Sequence, residues 1–320
     1  MASAARRSRA AHGPLVRGRA PRGLPMTYRP RRSPRHSSLR LRGVDHHLTR
    51  WGPDGGPPLV LLHGWADAGA TFQVLVDAFT TDRALVALDW RGFGRSAWQN
   101  APYWFPDYVA DLEALLQVVS PGAPAVLVGH SMGGNIACLY GGVRPERVSR
   151  IVNLEGFGLS PTNPVDAPAR YRRWLDELAA PPTFSRYESL DRFQAVLQRK
   201  NPRLTPERAA FIAASWSQQL PDGSYIVSAD PAHKMVNPVL YRREEAEACW
   251  RQVAAPVLLV IGGLSEFGAR AGPLGSGDHY LALFPSLRVA TLPGAGHMMH
   301  HEEPAALAAL IEAFVDRPDA

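Results

Sequence analysis

Cysteine is nearly absent: the chain of 320 residues has two, Cys138 and Cys249. Two thiols cannot build a disulfide framework, and their scarcity predicts a reducing, cytoplasmic compartment in which both are buried. No stretch of about 18 apolar residues occurs, so no membrane span is expected. Residues 1 to 43 contain no lysine and no acidic residue, but they hold twelve arginines. The chain has 35 basic and 29 acidic residues; without those twelve arginines the rest carries a net charge of −6. The high isoelectric point therefore belongs to a tail, and it does not make the body a nucleic-acid binder.

That tail, rich in Pro, Gly, Ser and Arg, cannot bury enough apolar surface to fold. Residues 1–37 are expected to be a disordered extension, or an over-long start with Met26 as the true one. An arginine arm for nucleic acid and an organellar transit peptide share its composition. The lack of aromatic interleaving and of any binding motif speaks against the first, so a nucleic-acid partner is not expected. Beyond the tail, 46% hydrophobic and 20% charged residues describe an ordinary globular protein. The length suits one sizeable core, or a core with an inserted subdomain.

Short apolar runs give the architecture. Two short strands are expected around Gly43, between Leu39 and Arg50. "LVLLHG" (59–64) reads as a strand buried on both faces, and "ALVALDW" (84–90), "AVLVG" (125–129), "VSRIVNLEG" (148–156), "PVLLVIGG" (256–263) and "LRVATLPG" (287–294) as further strands. Helical spacing marks 69–79, 107–119, 132–142 and 303–315. Strands alternating with helices predict an α/β fold on a mostly parallel sheet. From Leu159 to about Gln252 apolar strands disappear and helical segments rich in Arg, Glu and Trp take over. The expected organisation is therefore a core of residues 38–156 and 253–320, with a helical insertion at 157–252.

The chemistry concentrates at strand ends. Gly129-His130-Ser131-Met132-Gly133 follows one buried strand and opens a helix. A nucleophile on such a turn stands clear of its own backbone, and glycines are needed where side chains would clash. The helix start behind it offers free N–H groups to negative charge. His297, in "LPGAGHMMHHEEP" after the last strand, is the candidate base. His300 and His301 fall at the start of the last helix. Three carboxylates compete to orient the base: Glu266 in "GGLSEF", Glu155 in "NLEGF" and Asp278 in "SGDHY". The N–H groups of Met132 and Trp65 are candidate donors to a developing oxyanion. No metal site is expected, since His297, His300 and His301 lack clustered ligands at suitable spacing. The loop "DWRGFGRS" has no Gly-Lys-Ser/Thr and is not a phosphate cradle. His233, Lys234 and Arg242 in the insertion are candidates to face a pocket, as are Tyr171, Trp174, Tyr187, Trp216, Tyr225, Tyr241 and Trp250, although packing explains most of these aromatics.

"LVLLHGW", "LDWRGFGRS", "VLVGHSMGGNIA" and "LPGAGHMMHHEEP", in this order across residues 55–316, resemble the α/β-hydrolase fold family. Within it the chain is similar to the capped, serine-hydrolase-like and epoxide-hydrolase-like branch. The resemblance implies an eight-stranded, mostly parallel sheet and a helical cap after the strand ending at Glu155. It implies Ser131 as nucleophile, His297 as base, and Trp65 and Met132 as oxyanion donors. Serine at 131, where dehalogenases and epoxide hydrolases carry aspartate, disfavours those two reactions. Glu266 occupies the more usual acid position and is preferred to Glu155, although the family more often has aspartate there. The expected function is hydrolysis of a small-to-medium carbonyl compound, most simply a carboxylic ester, through an acyl-enzyme and without a cofactor. C–C bond hydrolysis, lactone hydrolysis and perhydrolysis use much the same parts. A non-catalytic binding protein on the same fold is the rival of another class.

Overall fold

The structure is a computed structural model that describes residues 28–99, 101–270 and 272–317. The strands are β1 (Arg35–Leu41), β2 (Val44–Trp51), β3 (Leu59–Leu62), β4 (Leu85–Leu88), β5 (Ala125–His130), β6 (Val148–Leu154), β7 (Ser217–Gln219), β8 (Tyr225–Val227), β9 (Val257–Gly262) and β10 (Leu287–Leu292). Eight of them form one sheet in the order β1-β2-β4-β3-β5-β6-β9-β10. β1 pairs with β2, and β2 with β4, antiparallel; every other neighbouring pair is parallel. Each expected strand is present, and the first two are longer than their apolar residues alone suggested.

The unbroken apolar runs follow from cover on both faces. Val60, Leu62, Val86, Leu88, Leu127, Ile151 and Leu259 point to one side. There they meet Leu112 and Leu116 of the helix Phe105–Val119, and Ile136 and Tyr140 of the helix Met132–Val143. Leu59, Leu61, Leu85, Val128, Val152 and Val260 alternate to the other side. They pack on Phe72, Leu75, Leu307 and Ile311, the last two from the helix Pro304–Val315. Parallel pairing puts the carboxyl ends of β3, β5, β6, β9 and β10 along one rim, where an open α/β sheet places its site.

Between β6 and β9 lie the helices Ala167–Ala179, Leu190–Lys200, Pro206–Trp216 and Arg243–Trp250. The β7–β8 hairpin is an addition to the expected all-helical segment. Phe193, Leu197, Ala209 and Ile212 of this region form a small apolar cluster with Val74 of the core.

Two features depart from expectation near the N-terminus. Residues 1–27 lie outside the described residues, but 28–37, also expected to be disordered, are part of the fold. The Tyr28 hydroxyl donates to Asp77 (2.7 Å), and the Arg31 and Arg32 amides donate to the same carboxylate. The carboxylate of Asp77 thus gathers three donors that an isolated reading of the tail does not reveal. The loop "DWRGFGRS" closes on its own first residue: Asp89 accepts from the amides of Gly69 and Arg95 and faces His47 Nδ1 at 2.9 Å.

The same loop carries a buried ion cluster. Arg91 donates through Nε and Nη2 to Asp111, whose side chain is fully buried and also faces His46 Nε2 at 3.2 Å. Burial alone would raise the Asp111 carboxyl; bonds from His46 and Arg91 overcome it and hold the group below its ordinary value. Its contribution to stability is present above the unfolded carboxylate range and is lost as pH falls through the depressed folded value. Asp111→Ala leaves the buried Arg91 guanidinium only Gln99 and the more distant Asp107 as partners, and is expected to cost about 3–5 kcal/mol in urea unfolding. A loss below about 1 kcal/mol would show that water reaches Arg91 in the folded state.

Candidate active site

Ser131 stands at the end of β5, one residue before the helix Met132–Val143, with φ +51° and ψ −113°. A non-glycine residue at positive φ is strained, and here its neighbours hold it in place. The Ser131 amide donates to the Leu154 carbonyl (2.8 Å), and its own carbonyl accepts from Asn135 (3.1 Å). A Cβ at Gly129 would run into the backbone of Gly133, and one at Gly133 into the Leu62 carbonyl. The glycines are therefore demanded by close backbone approach between the turn, its helix and β3.

His297 follows β10 through Gly294 and Gly296. Its Nδ1 lies 2.7 Å from Glu155 Oε2. Glu155, fully buried and at φ +52°, is the first residue beyond β6. Its Oε1 also accepts the Gly262 amide (2.8 Å), and its Oε2 accepts the Ser265 hydroxyl (2.7 Å). A carboxylate that accepts from every partner makes Nδ1 the protonated nitrogen of His297 and leaves Nε2 as the free base.

The preferred acid, Glu266, is not at the site. It opens a short surface helix, Glu266–Arg270, and pairs with Arg270 at 2.7 Å, with its side chain 82% exposed. Asp278 is exposed on the helix Gly277–Leu281. The end of β9 still takes part, because Gly262 and Ser265 deliver their donors to the acid on β6. Ser265, beside Glu266 in the chain, was missed; a hydroxyl one residue before the expected acid was the only signal for it.

The Met132 amide begins its helix and has no intrahelical acceptor. The loop carrying Trp65 lies against the same spot: a Cβ on Gly64 would sit 3.3 Å from Ser131 Cβ. His63 braces this loop. Its Nδ1–H donates to the Gly64 carbonyl (2.7 Å) and its Nε2 accepts the Trp90 amide (3.0 Å). Burial lowers its pKa, so the neutral ring that this pattern requires is maintained. From the insertion, the Trp216 indole N–H donates to the Ala66 carbonyl. The Trp65 ring is 48% exposed and meets Phe184 of the insertion at 6.1 Å, while Phe267 lies 4.5 Å from the His297 ring. Among the described residues no hydrogen bond joins the Ser131 hydroxyl to His297, a contact that typically tightens only when substrate is bound.

Other candidates in the insertion serve to fasten it. His233 stacks between Phe93 (3.7 Å) and Tyr103 (3.6 Å), and burial lowers its pKa to about 3. The Lys234 ammonium donates to the Thr183 carbonyl, and Arg242 pairs with Glu245 at the surface. Trp250 is buried in the core. The remaining histidines lie where the last helical stretch begins. His300 and His301 are fully buried in the short helix Met299–Glu302, and the fold brings Asp67 and His130 to His300.

The family model for the alpha/beta hydrolase fold matches residues 57–304. A serine hydrolase-like protein of Danio rerio is 27% identical over 273 residues, 83% of each chain. A 2-(acetamidomethylene)succinate hydrolase of Mesorhizobium japonicum is 28% identical over 265 residues, 82% of this chain and 88% of that one. Among solved structures, a hypothetical protein of Pseudomonas aeruginosa PAO1 superposes with a TM-score of 0.76 at 25% identity, covering 88% of this chain and 99% of the other. The chain belongs to the α/β-hydrolase fold family. Its general activity is that of a hydrolase, and no helix among the described residues is long and apolar enough to cross a membrane.

Proposed function

We propose that this protein is a serine hydrolase that cleaves a small-to-medium carboxylic ester through an acyl-enzyme. Ser131 is the nucleophile, His297 the base and Glu155, in place of Glu266, the acid. The observation that carries the reading is the 2.7 Å contact of His297 Nδ1 with a buried, otherwise saturated carboxylate, on a loop that also abuts the strained serine turn. In the forward step the Ser131 oxygen bonds to the ester carbonyl carbon while its proton passes to His297 Nε2. Glu155 stabilises the imidazolium. The Met132 and Trp65 amides receive the carbonyl oxygen as it takes on charge. Collapse expels the alcohol, which carries away the proton, and His297 then activates water to release the acid.

The residues 157–252 act as a cap over this site. Trp216 and Phe184 reach from it to the loop that holds Trp65, so substrate size is set between cap and core.

A series of p-nitrophenyl esters, acetate to dodecanoate, tests the proposal together with labelling by a fluorophosphonate. Turnover with covalent labelling of Ser131 is the expected result, and the preferred chain length sizes the pocket. Labelling without turnover on any ester would redirect the chemistry to a lactone or diketone. A folded protein that is neither labelled nor active would leave the binding-protein reading.

A further inference from the structure

We propose that Asp67, His130 and His300 form a buried binding site for one divalent first-row metal ion of the zinc type. One ligand atom from each lies within 4.8 Å of the others, and Asp67 Oδ2 is 3.5 Å from His300 Nε2. All three side chains are at least 98% buried. Asp67 Oδ2 faces His300 Nε2, and His130 Nδ1 and His300 Nδ1 have no hydrogen-bond partner among the described residues. A buried polar atom without a partner costs about 1–3 kcal/mol, and one ion would engage one atom of each of the three side chains together.

The far ends of two ligands are anchored in the manner metal ligands require. His130 Nε2–H donates to the His297 carbonyl (2.8 Å), which turns the Nδ1 lone pair into the cluster. The other oxygen of Asp67 accepts the Ala68 amide and the Thr71 hydroxyl, both at 2.8 Å, leaving Oδ2 to face His300. Metal bonds of about 2.0–2.1 Å place tetrahedral ligand atoms about 3.3 Å apart. The Asp67–His300 pair is already near that separation, and the rest needs a closure on the order of 1 Å. Two imidazoles and one carboxylate leave a fourth position open, which suits zinc.

The site adjoins the reaction centre without being part of it. His130 precedes Ser131, and its hydrogen bond reaches the backbone of His297. A bound ion would tie the serine turn and the histidine loop to the loop of Asp67, and so stabilise the folded chain.

The test uses the full chain, stripped with EDTA and titrated with zinc chloride by calorimetry and thermal unfolding. One ion per chain and a Tm that rises with zinc are expected. Asp67→Asn, which keeps the oxygen for Ala68 and Thr71, and His300→Gln should each weaken binding at least tenfold, as a lower bound of about that size for lost metal-site partners. His297→Ala should leave it unchanged. A zinc ion lost in His297→Ala but retained in the other two sits on the candidate catalytic imidazole and overturns the proposal. So does the absence of heat and of any Tm shift in the wild type. If the variants fold poorly, the zinc absorption edge of the wild type decides: a shell with two imidazoles supports the site, and a sulfur or all-oxygen shell refutes it.

Discussion

Ser131→Ala is expected to lower kcat by about 10⁶-fold on the best p-nitrophenyl ester, to a residual set by binding and oxyanion donors alone. The whole reading of the chemistry depends on this result. Alanine keeps the Cβ that the turn already accommodates, so it removes only the oxygen. The turn itself should survive, because its backbone bonds to Leu154 and Asn135 do not use that side chain. KM should change little if the acyl group is bound by the cap and the Trp65 loop. A variant that retains a tenth of wild-type turnover, with an unaltered Tm, would remove Ser131 as nucleophile and point to water activated directly by His297.

Glu155→Gln should lower kcat/KM by about 10⁴-fold, while Glu266→Gln stays within about twofold of wild type. The contrast follows from hydrogen-bond chemistry. Glutamine still accepts the Gly262 amide through its carbonyl oxygen and can donate to Ser265, so the pocket remains filled and paired. Its NH2 faces His297 Nδ1 with a donor. The ring must then carry its proton on Nε2, where it cannot act as a base toward serine. Glu266 loses only an exposed pair with Arg270, worth little in water. The measurement is kcat/KM for both variants alongside Tm. Near-full activity in Glu155→Gln together with collapse in Glu266→Gln would reverse the assignment and require the surface helix 266–270 to refold onto His297.

These expectations separate what was local from what was not. The strand, the serine between glycines and the following helix are encoded within about a dozen neighbouring residues. So are the apolar runs that make both faces of the sheet. Their form is dictated by backbone sterics and burial, and both read directly from residue type and spacing. The choice between Glu155 and Glu266 is of another kind. Both follow parallel strands that are neighbours in the sheet, and both are glutamates near glycines. What distinguishes them is the positive φ at Glu155, which turns its side chain inward, and the arrival of Gly262 and Ser265 from the next strand to saturate it. Glu266 meanwhile sits exposed on a surface helix beside Arg270.

The N-terminal segment and the histidines divide in the same way. Residues 28–32 are even richer in arginine than those before them, and it is distant partners, Asp77 foremost, that make them part of the fold. His300 reads as one polar residue at a helix start until Asp67 and His130, from the ends of two other strands, are seen around it. The sequence by itself determined the sheet, the candidate nucleophile and the candidate base, because each rests on short-range sterics and burial periodicity. The tertiary structure alone decided the partner of that base, the docking of the tail and the buried Asp67–His130–His300 cluster. Each of these depends on side chains far apart in the chain whose pairing energy exists only once the sheet has brought its strand ends together.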